Sequence, residues 1–390
     1  MEVARLGIDE AEEQHALRNL VRSVLEREVT PQRLNDFDER EVFDEELYRS
    51  LAETGLVGLG ADVDGSRAEH LSQTVVLEEL GAGATSLGVC FVVQYMGVSL
   101  LGQYGTKEQK QSVMVPLLEG DARIAFGLTE PDGGTDVARA MRSLAKHESD
   151  GSFRLSGRKL WISGALGAKT LIVFARTAPI EGSAINGITI FLVPQDSPGV
   201  TVREVKTIGV HGLDTCEITF DDVLLPATSV LGEVGQGFRQ VLGTLNAERL
   251  NGAAMALGIA RGAHEHTLTY VKQREAFGRP IGAFQVLQHR LVDGAIQLEA
   301  TRGLLQRAAK AADAGSGGET LSAMVNIMAS DAATSITDAG MRALAGAGYS
   351  REFPVQRYFR DCRLYTFAPL TDEMLRNFVG ENFLGLPRSY

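Results

Sequence analysis

The sequence predicts a mainly helical chain with a central β domain, and three observations carry that prediction. Apolar residues recur at helical spacing to about residue 124, in short strand-like runs to about 232, and at helical spacing again beyond. Gly, Pro, Asp and Ser separate the strand-like runs, with no helix-length segment between them, so they fit an antiparallel sheet or barrel better than βαβ units. The chain has 390 residues, 44% hydrophobic and 23% charged, which is enough for two or three domains around large cores.

The division that follows is a helical domain over 1–124, a β domain over 125–232 and a helical bundle domain over 233–390. In the first, Leu17, Leu20, Val21, Val24 and Leu25 share one helical face, and Pro31 ends the pattern. Further helical patterns lie around 44–53, 72–80 and 87–104. The most apolar window, 81–105, is interrupted by Thr85, Ser86, Gln94, Ser99 and Gln103, and reads as a buried helix instead of a membrane span. The middle domain holds the runs FRLSGRKLWIS, TLIVFART, GITIFLVP, VTVREV and CEITFDDVLLP. In the last domain, AADAGSGGET (311–320) reads as a loop between two long helices.

Lys plus Arg total 38 and Asp plus Glu 50, a net charge of −12, which argues against a non-specific nucleic-acid binder. Cys90, Cys216 and Cys362 lie too far apart for a disulfide framework or a structural zinc site, and fit a reducing cytoplasm. The first twenty residues lack the apolar stretch of a signal peptide, and GLPRSY at the other end carries no lipidation signal.

Three stretches invite a chemical reading. Val241, Leu245, Glu248, Gly252, Met255 and Ile259 fall on one helical stripe, where Glu248 is the odd member. A carboxylate in apolar surroundings is costly unless paired, and burial makes it basic enough to take a proton near neutral pH. From periodicity alone two readings stand: a general base, or a buried acid paired with an arginine from elsewhere. The turn-rich FGLTEPDGGTDV (126–137) offers hydroxyls and open backbone amides to an anionic or ring-carbonyl ligand. KLWISG (159–164) sets the only tryptophan, Trp161, beside Ser163, a pairing that suits a flat heterocycle; a β-turn and a core tryptophan are the alternative. In REAFGRPIGAFQVLQ (274–288), Arg274 suits a phosphate and Gln285 an amide or ring edge. GALGAKT (164–170) lacks the spacing of a phosphate loop, LAGAGYS (344–350) lacks the strand–turn–helix context of a dinucleotide fingerprint, and His264 and His266 do not share a helical face, so no metal site is expected there.

Together these stretches resemble the acyl-CoA dehydrogenase family over nearly the whole chain. FGLTEPDGGTDV, KLWISG, REAFGRPIGAFQ and RALAGAGYSREFPVQRYFRD (342–361) follow its signatures in order. The resemblance implies a helical domain, a middle antiparallel β-barrel and a C-terminal four-helix bundle, with non-covalent FAD. It implies that Phe126, Leu128, Thr129, Gly134 and Thr135 line the flavin and the acyl-pantetheine, and that Trp161 and Ser163 contact the ring system. Arg274, Phe277 and Gln285, with Arg342, Ala345 and Gly346, would hold FAD across a subunit interface, and Thr371 and Glu373 would flank it. A homodimer or homotetramer, an acyl-CoA or carrier-bound acyl substrate, and an electron-transfer flavoprotein as acceptor are implied with them. Phe91, Gln94 and Tyr95 are the residues expected to limit the acyl pocket, with Thr135 and Arg249 also at the substrate.

Many members of that family carry their catalytic glutamate where this chain has Pro369, a residue that also lacks the N–H expected to polarise the thioester carbonyl. Losing such a donor costs roughly 3–4 kcal/mol, so a substitute is expected. A branch that includes isovaleryl-CoA and long-chain dehydrogenases carries the base in a Glu-Arg-Leu context, matched here by Glu248-Arg249-Leu250. The implied reaction is α,β-dehydrogenation of an acyl thioester, with Glu248 taking the α-proton and flavin N5 the β-hydrogen as hydride. The alternatives are a same-fold oxidase or carrier-protein enzyme, or a non-catalytic subunit.

Overall fold

The computed structural model describes residues 11–61, 69–316 and 318–389; the first ten residues, read above for a leader, lie outside them. Five longer helices open the chain: α1 (Glu12–Glu28), α2 (Pro31–Arg40), α3 (Glu45–Ala52), α4 (His70–Gly83) and α5 (Thr85–Tyr104). The expected stripe of α1 is its buried face, with Val21, Val24 and Leu25 inside. Pro31 is the first residue of α2, where its missing N–H would be unsatisfied anyway, and the Thr30 hydroxyl accepts from Arg33 N at 3.1 Å. The apolar helix α5 is long enough to cross a membrane, yet most of it is buried inside the fold. The short helices α6 (Lys107–Gln109) and α7 (Val115–Leu118) lead into the sheet.

The sheet has eight strands: β1 (Ile124–Gly127), β2 (Leu144–His147), β3 (Phe153–Ser163), β4 (Thr170–Arg176), β5 (Ile188–Pro194), β6 (Val200–Glu204), β7 (Thr215–Leu225) and β8 (Val230–Leu231), with α8 (Val137–Ala140) between β1 and β2. Their order is β6-β7-β3-β2-β4-β5-β8, with β1 joined to β4. Most pairs are antiparallel, but β1–β4 and β2–β4 are parallel, and the end strands β6 and β8 share no ladder. The antiparallel barrel expected from the sequence is therefore a mixed sheet without a closing pair. Parallel neighbours need a long connection, and the 126–137 loop with α8, β2 and β3 supplies it.

The C-terminal part comprises α9 (Gly237–Gln273), the hairpin β9 (Glu275–Ala276) and β10 (Arg279–Pro280), α10 (Gln285–Asp313), α11 (Glu319–Leu344), α12 (Gly346–Tyr349), α13 (Val355–Asp361), a 3₁₀ turn at Cys362–Thr366 and α14 (Asp372–Asn382). The expected loop over 311–320 falls between α10 and α11. The long helix α9 is the hub, packed against α4, α5, α10 and α11. One apolar core runs from α1 through α5 and α9 to one face of the sheet; a second, around Phe153, Phe191 and Phe220, fills the other face.

Two devices lock α4 to α9. Their backbones cross at Gly81 and Gly258, where a Cβ on Gly258 would stand 2.2 Å from Glu78 O. Beside that crossing, Glu78 and Glu79 are buried among arginines: Arg302 lies 2.9 Å from Glu78, Arg261 2.8 Å from Glu79, and Arg18 touches both. Burial opposes the charge on Glu78, but the surrounding guanidiniums prevail and hold its pKa well below the carboxylate range.

Candidate functional site

Along the stripe predicted on α9, Val241, Gly252, Met255 and Ile259 are buried, while Leu245 and Glu248 are half-buried. Glu248 makes no hydrogen bond or ion pair among the described residues. Burial pushes its pKa from 4.5 up to about 7, against a smaller opposing pull from Arg249. Arg249 points elsewhere: its guanidinium carbon lies 5.3 Å from the centre of the Phe378 ring. Its carbonyl accepts from Asn326 Nδ2 at 3.0 Å. The paired-acid alternative for Glu248 thus finds no arginine to supply the pair.

One turn further on, Gly252 keeps the stripe open. A Cβ there would meet Asn326 Nδ2 and Pro369 Cδ, each at 3.2 Å, and Tyr365 Cδ1 at 3.7 Å. Gly88 on α5 faces Met255, whose Cε would lie 2.4 Å from a Cβ at that position. Phe91, Gln94 and Tyr95, expected to limit the acyl pocket, are buried in the helical core. Gln94 clamps β1, its Oε1 accepting from Ile124 N at 2.9 Å and its Nε2 donating to Cys90 O. The Tyr95 hydroxyl donates to Leu56 O at 3.0 Å, and the Phe91 ring meets Tyr48 and Tyr95 edge-on. An amphipathic-looking side chain in an apolar helix is as readily a core clamp as a pocket wall, and sequence spacing does not separate the two.

The loop after β1 and the strand β3 form one unit. Leu160 N donates to Thr129 O at 3.0 Å, and the Thr129 hydroxyl donates to Leu160 O. Beneath them lies a pair that the sequence reading passed over, Glu130 and Lys159. Lys159 Nζ is fully buried, 2.7 Å from Glu130 and 3.2 Å from Leu128 O. Glu130 also accepts from Arg142 N and Ser143 N, at 2.5 and 3.0 Å. Burial lowers the Lys159 pKa to about 8, opposed by Glu130. Lys159 sits at strand spacing among apolar residues, which was the available signal.

Above that pair, Trp161 is 59% exposed and holds a left-handed backbone (φ 64°) where the β3–β7 register shifts. Such a conformation for a bulky residue costs on the order of 1–3 kcal/mol and clusters at functional sites. Ser163 is half-buried, Thr135 is exposed, and a Cβ at Gly134 would meet nothing. Phe126 leans on Phe174 with ring centres 5.2 Å apart, and Leu128 is buried beside the loop. Gly133 N donates to Glu130 O at 3.1 Å, so the exposed Trp161 indole and the exposed Gly134 and Thr135 beside it are what this cradle offers a flat, hydrogen-bonding ring system.

The other expected cofactor residues stand at the surface of the single chain. Phe277 is 94% exposed with φ 54°, and Arg274 and Gln285 beside it are exposed. Arg342 pairs with Asp338 at 2.7 Å, Ala345 is left-handed (φ 51°), and Gly346 has open space around it. Thr371 caps α14 by accepting from Met374 N, and Glu373 is exposed in its first turn. These residues are left uncovered by the chain itself. His264 Nε2 lies 2.9 Å from Leu291 O, and among the described residues no three His, Cys, Asp or Glu side chains gather as metal ligands.

Comparison with known proteins matches three family models in order: the acyl-CoA dehydrogenase N-terminal domain over residues 11–121, its middle domain over 125–223 and its C-terminal domain over 235–384. The short-chain specific acyl-CoA dehydrogenase of Bos taurus mitochondria is 35% identical, over 98% of this chain and 93% of its own. The butyryl-CoA dehydrogenase structure from Megasphaera elsdenii superposes with a TM-score of 0.90 at 32% identity, covering 97% of this chain and all of that one. A chain from a structure titled as the electron transferring flavoprotein of Acidaminococcus fermentans reaches the same TM-score at 30% identity, again covering 97% of this chain and all of that one.

Proposed function

The chain belongs to the acyl-CoA dehydrogenase family, and from that premise we infer that Glu248 is the base that removes the α-proton of an acyl thioester. The protein is an FAD-dependent oxidoreductase acting on acyl-CoA. The observation that carries the finer reading is the partnerless Glu248 on the inner stripe of α9, with its pKa raised by burial to about 7. A carboxylate of that basicity is half ionised at neutral pH and strong enough to share a proton with a carbon acid whose carbonyl is hydrogen-bonded. Entry of an acyl chain expels water and raises its basicity further.

Bound FAD supplies the acceptor, at flavin N5, for the β-hydrogen leaving as hydride. Phe126, Leu128, Thr129, Gly134, Thr135, Trp161 and Ser163 would hold its ring system, and the exposed indole of Trp161 supports that fit. Arg274, Phe277, Gln285, Arg342, Ala345 and Gly346 would meet FAD from a second copy, a reading supported by their exposure in the single chain. Val286, Val292 and Ile296 on α10 are likewise exposed large apolar residues, which supports a homodimer or homotetramer. An electron-transfer flavoprotein is the proposed electron acceptor, and the three buried free thiols suit a reducing cytoplasm.

The substrate we infer is a short acyl-CoA. The support is the bovine relative, 35% identical over 98% of this chain, which is named short-chain specific. The test is an anaerobic titration with saturated acyl-CoAs of graded length while the visible absorbance of the flavin is followed. A short member bleaches the wild-type flavin, and Glu248→Gln retains FAD but is not bleached. Undiminished bleaching in that variant removes Glu248 as the base. A yellow wild type that no acyl-CoA bleaches points to a carrier-bound substrate or an inactive subunit.

A further inference from the structure

The segment over 207–214, between β6 and β7, is a strap that joins the cradle to the C-terminal helices. At its far end Asp214 O accepts from Gly164 N at 2.8 Å, and Asp214 Oδ2 accepts from Leu166 N at 2.9 Å. The strap thus grips the turn that follows Trp161 and Ser163. In its middle it lies directly on the end of α13. A Cβ on Gly209 would stand 2.8 Å from Arg360 C and 2.9 Å from Asp361 Oδ1, so only glycine permits that approach. Val210 N donates to Asp361 Oδ1 at 2.6 Å, and Asp361 is only 2% exposed. Arg360 reaches the strap and α2 together: its guanidinium lies 3.1 Å from His211 Nδ1 and 2.6 Å from Asp38 Oδ2.

Val210 holds a left-handed backbone (φ 58°). That conformation is a steric outlier for a β-branched residue and persists only where the surroundings over-determine it. The bond from its N–H to a buried carboxylate is such a constraint. Burial raises the Asp361 pKa to about 6, against the pull of the Val210 N–H and of Arg360 and Arg357, so the group is ionised at pH 8. Beyond Asp361 the chain runs straight into the 3₁₀ turn at Cys362–Thr366 and on to Pro369. Tyr365 Cδ1 and Pro369 Cδ lie 3.7 and 3.2 Å from where a Cβ on Gly252 would be, one turn of α9 beyond Glu248. One carboxylate therefore joins two runs of contacts, one ending at the cradle turn over 161–166 and the other on α9.

We propose that Asp361 is a positioning residue: by holding Val210 it fixes the cradle turn in place relative to Glu248. It acts through the strap and not on the reacting atoms. This rests on the reading of the cradle and Glu248 as two sides of one reaction site.

The experiment compares wild type, Asp361→Ala, Asp361→Asn and Gly209→Ala, each as the FAD-loaded full chain at pH 8. Two quantities are read: the rate of anaerobic flavin bleaching by a short acyl-CoA, and the emission of Trp161, the only tryptophan. Asp361→Ala strips the acceptor from Val210 N. A misplacement of about 1 Å costs about a hundredfold in rate, so bleaching per bound flavin slows by about that factor while the half-saturating acyl-CoA concentration stays near wild type. Trp161 emission shifts in parallel. Asp361→Asn keeps a carbonyl oxygen for Val210 N and restores most of both. Gly209→Ala lifts the strap off Arg360 with Asp361 intact and reproduces the slow rate and the shifted emission; it carries the test if Asp361→Ala does not fold. Wild-type rate and emission in Gly209→Ala overturn the proposal, as does an Asp361→Asn variant as slow as Asp361→Ala. A lower melting temperature and FAD content in Asp361→Ala, with rate per flavin and emission unchanged, mean a purely structural role and overturn it too. Glu248→Gln runs alongside: if it is bleached normally, the base assignment fails, and Trp161 emission alone then decides the strap.

Discussion

Glu248 shows how a single side chain carries opposed demands. A carboxylic acid whose pKa rises from 4.5 to about 7 on folding holds a proton in the folded chain that the unfolded chain has already lost. Below about pH 4.5 both states are protonated and nothing is lost; as pH rises through 7 the folded state bears the full cost, on the order of 3 kcal/mol. Glu248→Gln is therefore expected to melt at a higher temperature than wild type at pH 8, with the gap narrowing as the pH is lowered toward 5. A gap independent of pH would mean that the carboxylate is not the source. Periodicity located this residue without help from any fold, because a lone acid in an apolar stripe is visible in one dimension.

At the scale of elements, the loop over 126–137 and strand β3 behave as one cradle because Lys159 and Glu130 tie them together from below. Lys159→Met removes the counter-ion of a buried carboxylate and leaves it only the backbone donors Arg142 N and Ser143 N, which costs up to about 3–5 kcal/mol. The expected result is a lower urea midpoint together with loss of FAD during purification. Lys159→Met with Glu130→Gln restores much of the stability, since the bare charge is gone; equal stability of the single and double variants would show that the pair carries nothing. The α4–α9 crossing makes a different demand. Gly258→Ala drives a methyl group into the Glu78 carbonyl, and overpacking of that kind costs about 1–3 kcal/mol, read as a fall in melting temperature. The sequence announced the loop through its glycines and hydroxyls, but its charged anchor was hidden, because the partners lie 29 residues apart in the chain.

At the scale of the whole molecule, Phe277, one face of α10 and the Arg342–Gly346 turn are exposed in the single chain, and they are the surface proposed above to meet a second copy. Ile296→Glu places a charge in that face, and is expected to shift the particle toward monomer in size-exclusion chromatography with light scattering and to release FAD in parallel. Retained FAD in a monomeric variant would separate the cofactor from assembly. The sequence by itself determined the helix–sheet–helix order, the odd acid on α9, and the loop and strand of the cradle, because each is written in local periodicity or in a short run of special residues. Only the tertiary structure decided that Gln94 and Tyr95 hydrogen-bond to backbone within the core, that the sheet is mixed and not closed, and that Lys159 and Glu130 pair beneath the loop. Those outcomes depend on which distant segments meet, and burial, hydrogen-bond pairing and pKa are properties of that meeting, absent from any single stretch of chain.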